Sequence, residues 1–362
     1  MEDHSVYTQS IACNGACGHH SHHRSCSILR EVLARFSRLL FALLGFLLLI
    51  STLWQAILRR QPSDVAYFAF IHDHVIHLGF SDGSATRPYP LDMFIYGISY
   101  SPDGTWIAAS VGKVRDHASA LIRHDFARRT TRTLISNDSS FVNFPLVSPD
   151  GQYIAFMMGS RFTGTSSLYI VRSDGSELQP IATGFFANTD YAWLPDSRAL
   201  IFIGTSATGE QKRLRYDLAS AQVSIVDDKI FQAPYISTSG RYMVYEANRS
   251  GGVLLNVSDL WGENTRLLTQ NTSEHQLRFD YSPIWSADEQ WIYFSSFQVG
   301  SNGFDIYRIR PNGEGTMRLT KLVGDEYNPT LSSPISSQLH ATRLLFLAFL
   351  CVLVSISTSR FH

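Results

Sequence analysis

From residue 65 onward the chain sets short apolar and aromatic runs between polar turns, at a period of two rather than 3.6, which predicts strands. The pattern is fullest over residues 281–320. Tyr281-Ser282-Pro283-Ile284-Trp285 is closed by the turn Ser286-Ala287-Asp288-Glu289, and residues 291–295 form an aromatic second run. A Gly/Ser loop to Gly303 leads to a third run at 305–310. Pro311-Asn312-Gly313 then turns the chain into an outer run at 317–320. Four strands in forty residues, each reversal with its own turn chemistry, make one blade of a propeller.

The unit repeats upstream. Ser101-Pro102-Asp103-Gly104, Ser148-Pro149-Asp150-Gly151, Leu194-Pro195-Asp196-Ser197, Ser237-Thr238-Ser239-Gly240, Ser286-Ala287-Asp288 and a truncated Ser332-Ser333 follow successive short runs, spaced 47, 46, 43, 49 and 46 residues apart. A near-constant interval holding four strands excludes helical solenoids. Residues 65–69 match the second strand of a blade, 74–78 the third and 86–91 the outer strand, so the first strand is missing at this end. Residues 328–332, after five complete repeats, supply it. The expected fold class is all-β, a six-bladed β-propeller whose split blade closes by strand exchange and leaves no long open edge. These residues resemble the TolB-like family of β-propeller repeats, with its Ser-Pro-Asp-Gly turn, aromatic strand, Asp-x-Tyr strand and closing Leu-Thr. The resemblance covers roughly residues 65–333.

Outside the repeats, residues 39–58 are an uncharged run of twenty. At about 1.5 Å per residue it covers roughly 30 Å, enough for a bilayer core. Arg38 and Arg59-Arg60 bracket it, and no Ala-x-Ala site follows, so an uncleaved signal anchor is expected rather than a removed signal peptide. Arg24, Arg30, Arg35 and Arg38 before the run, against Arg59 and Arg60 after it, put the N-terminus in the cytoplasm and the propeller outside. Residues 59–64 and 334–343 are linkers. The second apolar run, 344–358, is short for a bilayer helix, so the chain is expected to be single-pass or two-pass, with either a membrane segment or a packed helix at 344–358. The TolB-like periplasmic proteins carry an additional α/β domain where this chain has its apolar run, so their partners do not transfer.

Composition adds exclusions. A net charge of −1 with 17% charged residues gives no field for nucleic acid. All four cysteines, Cys13, Cys17, Cys26 and Cys351, lie outside the repeats, so no disulfide is available to the propeller. Residues 1–38 form a polar tail in which Cys13, Cys17 and Cys26 surround His19, His20, His22 and His23. Thiolates and imidazoles suit zinc, but the Cys-x-x-Cys spacing is absent, and a disordered tail without metal is expected. Lipidation of Cys26 is an alternative. Asn137, Asn248, Asn256 and Asn271 each head a sequon usable on the extracytoplasmic side of a eukaryotic membrane.

No Gly-x-Ser-x-Gly elbow or His-Glu-x-x-His helix is present, so no catalytic residue and no cofactor are assigned. His72 and His74, placed on one strand face, could join His117, His124 and His275 in a metal pocket like that of propeller polysaccharide lyases; ordinary strand histidines are expected instead. The favoured reading is a scaffold for a protein or glycan. Loops entering the inner strands carry Phe94, Tyr96, Phe141, Phe185, Phe186, Phe231, Phe279 and Tyr327. Loops between second and third strands add Lys113, Arg115, His117, Arg161, Phe162 and Gln298 on the same face. At least half of the aromatics are expected to pack between blades and the rest to form an amphipathic rim. Because the split blade is cut between its first and second strands, both chain ends leave by the Ser-Pro-Asp face, which would sit against the bilayer and turn the rim toward a partner. Protease added outside sealed vesicles is therefore expected to digest the propeller and spare the tail through Arg38, as read by immunoblotting both ends; the reverse pattern would refute this topology.

Overall fold

The chain divides into two compact units, Met1–Pro62 and Ser63–His362. The computed structural model describes residues 66–113, 118–160, 166–181, 186–229, 232–249, 251–271 and 277–333, all in the second unit. The apolar runs 39–58 and 344–358, the flanking linkers and the Cys/His tail lie outside the described residues. Among the described residues no helix is long and apolar enough to cross a membrane, and every helix or strand element is a strand.

The strands come in antiparallel sets of four. The first set is β1 (Tyr67–His72), β2 (Val75–Phe80) and β3 (Arg87–Tyr89), lacking its inner member. Next come β4 (Phe94–Tyr100), β5 (Trp106–Gly112), β6 (Ala120–Asp125) and β7 (Thr130–Ser136), then β8 (Ser140–Val147), β9 (Tyr153–Ser160), β10 (Ser166–Arg172) and β11 (Gln179–Pro180). β12 (Phe186–Trp193), β13 (Ala199–Thr205), β14 (Gln211–Asp217) and β15 (Gln222–Asp227) follow. β16 (Gln232–Ile236), β17 (Tyr242–Arg249), β18 (Gly252–Asp259) and β19 (Arg266–Leu267) precede β20 (Arg278–Trp285), β21 (Ile292–Gln298), β22 (Asp305–Ile309) and β23 (Met317–Arg318). A single parallel contact, Val253 to Phe279, joins these last two sets. The final strand, β24 (Glu326–Leu331), returns to β1 and pairs Phe68 with Leu331 and His72 with Glu326. The terminal segments thus share one sheet, ordered β24-β1-β2-β3.

The repeated turn follows from its residues. Ser101 Oγ accepts the N–H of Trp106 at 3.1 Å and donates to Asp103 Oδ1 at 2.7 Å, while Asp103 accepts the N–H of Thr105 at 3.0 Å. One hydroxyl and one carboxylate thus satisfy donors that the reversal would leave unpaired. Gly104 has φ +68°, and a Cβ there would come within 2.7 Å of the Tyr67 ring. Ser148 repeats the arrangement with Asp150 and Tyr153. Where Leu194 replaces the serine, Ser197 instead accepts the N–H of Asp150 in the preceding set at 3.0 Å.

Two expectations need correction. The third run was to begin at His74, but Asp73 and His74 have φ of 46° and 62° and form the two-residue turn between β1 and β2, the hairpin type with positive φ at both positions. His72 and His74 therefore do not share a strand face.

Second strands are buried on both faces over most of their length because each sheet is covered by its neighbours. Phe68 and Phe70 of β1 and Tyr293 and Ile306 of the preceding set are nearly or fully inaccessible and form one cluster. Ile71, Ile76, Ile95 and Ile107 form another on the opposite side of the closing sheet. Cations staple neighbouring sets. The Arg123 guanidinium lies 4.2 Å over the Trp106 ring and donates to Ser173 O at 3.2 Å. Arg308, 4.3 Å over Trp291, reaches across the closure to Ser81 O at 3.0 Å, and the same carbonyl accepts the Tyr293 hydroxyl at 2.7 Å.

Phe70→Ala is expected to cost about 3–5 kcal/mol through the cavity it leaves. Tyr293→Phe removes one hydrogen bond from a carbonyl that keeps Arg308 and should cost about 1 kcal/mol. Urea unfolding of the two variants measures both, and a Tyr293→Phe loss as large as that of Phe70→Ala would contradict the closure described.

Candidate functional site

The inner strands β4, β8, β12, β16, β20 and β24 surround a central channel. A chamber of about 90 Å³ lies along it, bordered by Ser99, Phe144, Tyr191, Tyr235, Ser282 and Asn328, one residue from each strand. All of these strands break register beside the channel, at Ile95/Gly97, Asn143/Leu146, Ala187/Tyr191, Gln232/Tyr235, Tyr281/Ile284 and, on the β1 side of β24, Ala69/Ile71. Bulges of this kind re-aim side chains and are concentrated at barrel rims and functional sites.

Three bulges share a chemistry. Phe144, Ser282 and Asn328 have φ of 56°, 53° and 53°, and each precedes a proline, Pro145, Pro283 and Pro329. A left-handed conformation on a residue with a Cβ costs about 1–2 kcal/mol. Proline restricts its predecessor further. Local bonds hold these residues. The N–H of Ser282 donates to Glu246 Oε1 at 2.8 Å, Ser282 Oγ donates to Asn328 Oδ1 at 3.2 Å, and Asn328 Nδ2 donates to Tyr96 O at 3.4 Å. The Tyr191 hydroxyl donates to Phe144 O. A chain of polar contacts thus crosses β17, β20, β24 and β4 around the channel.

The two ends of the channel differ. At the Ser-Pro-Asp end a funnel of about 350 Å³ is bordered by Pro102, Pro149, Pro195, Thr238, Ala287 and Ser333, among other residues, and no charged side chain lines it. Its tryptophans, Trp193 and Trp285, are buried, their indole N–H groups donating to Leu146 O and Tyr235 O at 3.0 Å each. The opposite end carries the aromatics. His74 lies 5.8 Å from Phe94 and 5.0 Å from Tyr96, and its Nδ1 meets Ile95 O at 3.0 Å. Phe279, Phe297, Phe304 and Tyr281 form a second group, with successive ring centroids 6.1, 5.5 and 5.8 Å apart. Burial, and then the Glu246 carboxylate, raise the Tyr281 hydroxyl above its ordinary pKa.

Phe94, Tyr96, Phe141, Phe279 and Tyr327 are all half-buried, and all lie within inner strands near their starts, not in the loops that precede them. Tyr327 packs against Ile71, Ile76 and Ile95 between sheets, which is a core contact. Phe186 begins β12. Arg161, Phe162, Phe185 and Phe231 lie outside the described residues, as do Arg115, His117 and His275. Phe144, absent from the expected rim, is 47% exposed beside the channel. The sequence signal for it was a proline inside an inner strand, which marks a bulge.

His124 is buried and occupied on both nitrogens, by Tyr89 at 2.9 Å and Thr131 at 2.8 Å. Among the described residues no group of three or more His, Cys, Asp or Glu side chains is arranged to hold a metal ion. Of the sequons, Asn256 is 1% exposed in the middle of β18, so the expectation that it is usable fails in the folded chain. Asn137 sits in an exposed turn and Asn248 at the exposed end of β17.

An antiparallel all-β body with strands arranged in sets around a channel is a propeller-like fold. The sequence matches the family model of the TolB beta propeller domain over residues 91–279, and the chain belongs to that family. Among solved structures it is similar to TolB from Acinetobacter baumannii, with a TM-score of 0.60 and 17% identity over 78% of this chain and 70% of that one. A putative TolB from Agrobacterium tumefaciens gives 0.55 and 14% over 74% and 98%. A chain of a nidogen/laminin complex gives 0.54 and 10% over 74% and 98%. At these identities the likeness is one of fold. No curated protein matches the sequence.

Glu246→Ala should leave the Ser282 N–H without its carboxylate acceptor and cost about 1–3 kcal/mol, whereas Glu246→Gln keeps an oxygen in place and should lose little. Chemical denaturation of the pair tests whether Glu246 supports the bulge; equal losses would show that its charge, and not this bond, matters.

Proposed function

We propose that the protein is a membrane-anchored six-bladed propeller that works outside the cytoplasm as a protein-interaction scaffold, engaging its partner through the aromatic end of the channel. The observation that carries this reading is the placement of half-buried Phe94, Tyr96, Phe279 and Tyr281 at the starts of separate inner strands on one end of the body. Half-buried aromatics on rigid strands offer contact area at low entropic cost, the property that enriches them at the centres of interfaces. Strand positions hold them more firmly than loops would.

Two further features support it. The first and last described segments meet at the Ser-Pro-Asp end, where the N–H of Ser332 donates to Tyr67 O at 3.0 Å and that of Ser333 to Pro102 O at 2.8 Å. Neither end of the body therefore crosses the aromatic rim. The hydrophobic anchor expected at residues 39–58 would place the body at a membrane surface.

Crosslinking and affinity capture from the intact membrane, comparing the full chain with a Phe94→Ala/Tyr96→Ala pair and with Asp103→Asn/Asp150→Asn at the opposite end, tests the reading. Capture of specific partners should fall at least about tenfold with the rim pair, the scale expected of interface anchors, while its melting curve stays cooperative. The Ser-Pro-Asp pair should capture normally. Sensitivity confined to the Ser-Pro-Asp pair would refute the assignment of the rim.

A further inference from the structure

The funnel at the Ser-Pro-Asp end is where the closing sheet parts from the repeat. In the sets that carry it, the turn serine accepts the N–H that opens the second strand, as Ser101 Oγ does from Trp106 at 3.1 Å and Ser148 Oγ from Tyr153 at 3.0 Å. Ser332 Oγ does the same for Tyr67 at 3.0 Å, although Tyr67 stands 265 residues earlier in the chain. Elsewhere the chain then curves back into the second strand. Here that strand is already supplied, and the chain runs on past Ser333, whose N–H donates to Pro102 O at 2.8 Å on the neighbouring turn. Ser332 and Ser333 both line the funnel.

The funnel wall includes Pro102, Pro149, Pro195, Tyr235, Ile284 and Ala287, and none of its lining residues is charged. A charged group entering it would lose water and find no counter-charge, a cost that an uncharged segment avoids. The chain beyond Ser333 has that character. Residues 334–342, Pro-Ile-Ser-Ser-Gln-Leu-His-Ala-Thr, contain no Asp, Glu, Lys or Arg, and Arg343 is the first. Pro334 biases its predecessor, Ser333, toward extended backbone. In an extended chain Ile335, Ser337 and Leu339 fall on one side, two aliphatic groups flanking a small one, and residues 334–339 span roughly 20 Å.

We propose that residues 334–339 lie extended in the funnel, with Ile335 and Leu339 against its apolar wall, so that the chain fills this end of its own channel. The tether selects the occupant. A segment that begins one residue from the funnel wall is held there at an effective concentration on the order of millimolar, so contacts too weak to retain a free peptide suffice. A separate partner would have to displace it. A ligand that reaches the chamber therefore enters from the aromatic end.

Disulfide trapping in the full chain tests this, with the four native cysteines replaced by serine. Ser337→Cys paired with Pro195→Cys on the funnel wall should oxidise at least about tenfold faster than Ser337→Cys paired with Ala127→Cys, an exposed position outside the funnel, because docking concentrates the thiol only at the wall. Ala287→Cys serves as the wall position should Pro195→Cys fail to fold. Adding Ile335→Asp and Leu339→Asp, which bring charge to the uncharged funnel, should abolish the preference while melting stays cooperative. Hydrogen exchange gives a second readout: residues 334–342 should be protected in the wild-type chain and lose that protection in the aspartate variant. Equal rates at wall and control positions, or an unprotected wild-type segment, overturns the proposal. Protection or trapping that survives the aspartates overturns it as well.

Discussion

Everything in this fold depends on closing a ring of sheets whose edges would otherwise be exposed. A propeller sheet is covered on both faces by its neighbours, so opening at one point uncovers two apolar faces at once. The closure is correspondingly redundant. β24 pairs with β1, Phe68 and Phe70 fill the gap to the preceding set, and the Ser81 carbonyl takes one hydrogen bond from Tyr293 and one from Arg308. The Arg308 contact is a closing version of the staple that Arg123 makes between Trp106 and Ser173. The repeat thus builds its own fastening, because the residue that links one set to the next also links the last to the first.

The ring imposes strain along its axis, and the strain explains the channel's character. Inner strands crowd at the centre, and Phe144, Ser282 and Asn328 adopt positive φ directly before prolines. Such a conformation persists only where surrounding contacts over-determine it. Glu246, Asn328 and Tyr191 supply those contacts, so the polar atoms of the chamber are largely engaged in holding the strands. The two ends are left with different chemistry, an uncharged funnel at the Ser-Pro-Asp turns and aromatic groups with nearby carboxylates at the other. A scaffold can use the second without disturbing the first, since the aromatics are seated on strands that the ring itself fixes.

The strand repeat was legible because its causes are local. Ser-Pro-Asp-Gly specifies its turn through the serine hydroxyl, the aspartate carboxylate and a glycine at positive φ, all within six residues, and the interval between turns records four strands. The terminal exchange was legible for the same reason, since a second-strand motif at 65–69 had no inner strand and an inner-strand motif at 328–332 had no successors. The identity of candidate side chains was partly legible too: Phe94, Tyr96, Phe141 and Phe279 do stand at the aromatic end, although on strands.

What the tertiary structure decided were properties that no local pattern encodes. His74 became a turn residue because pairing of His72 with Val75 leaves only two residues for the reversal. Tyr327 became core because a neighbouring sheet covers it, and Asn256, a sequon in sequence, is shut inside β18. The bulges at Phe144, Ser282 and Asn328 arise from crowding among inner strands distant in the chain, and the register pairing of His72 with Glu326 exists only once the two ends of the body meet. Short-range hydrogen bonding sets the repeat; burial, register across the closure and the shape of the channel are set by which repeats become neighbours.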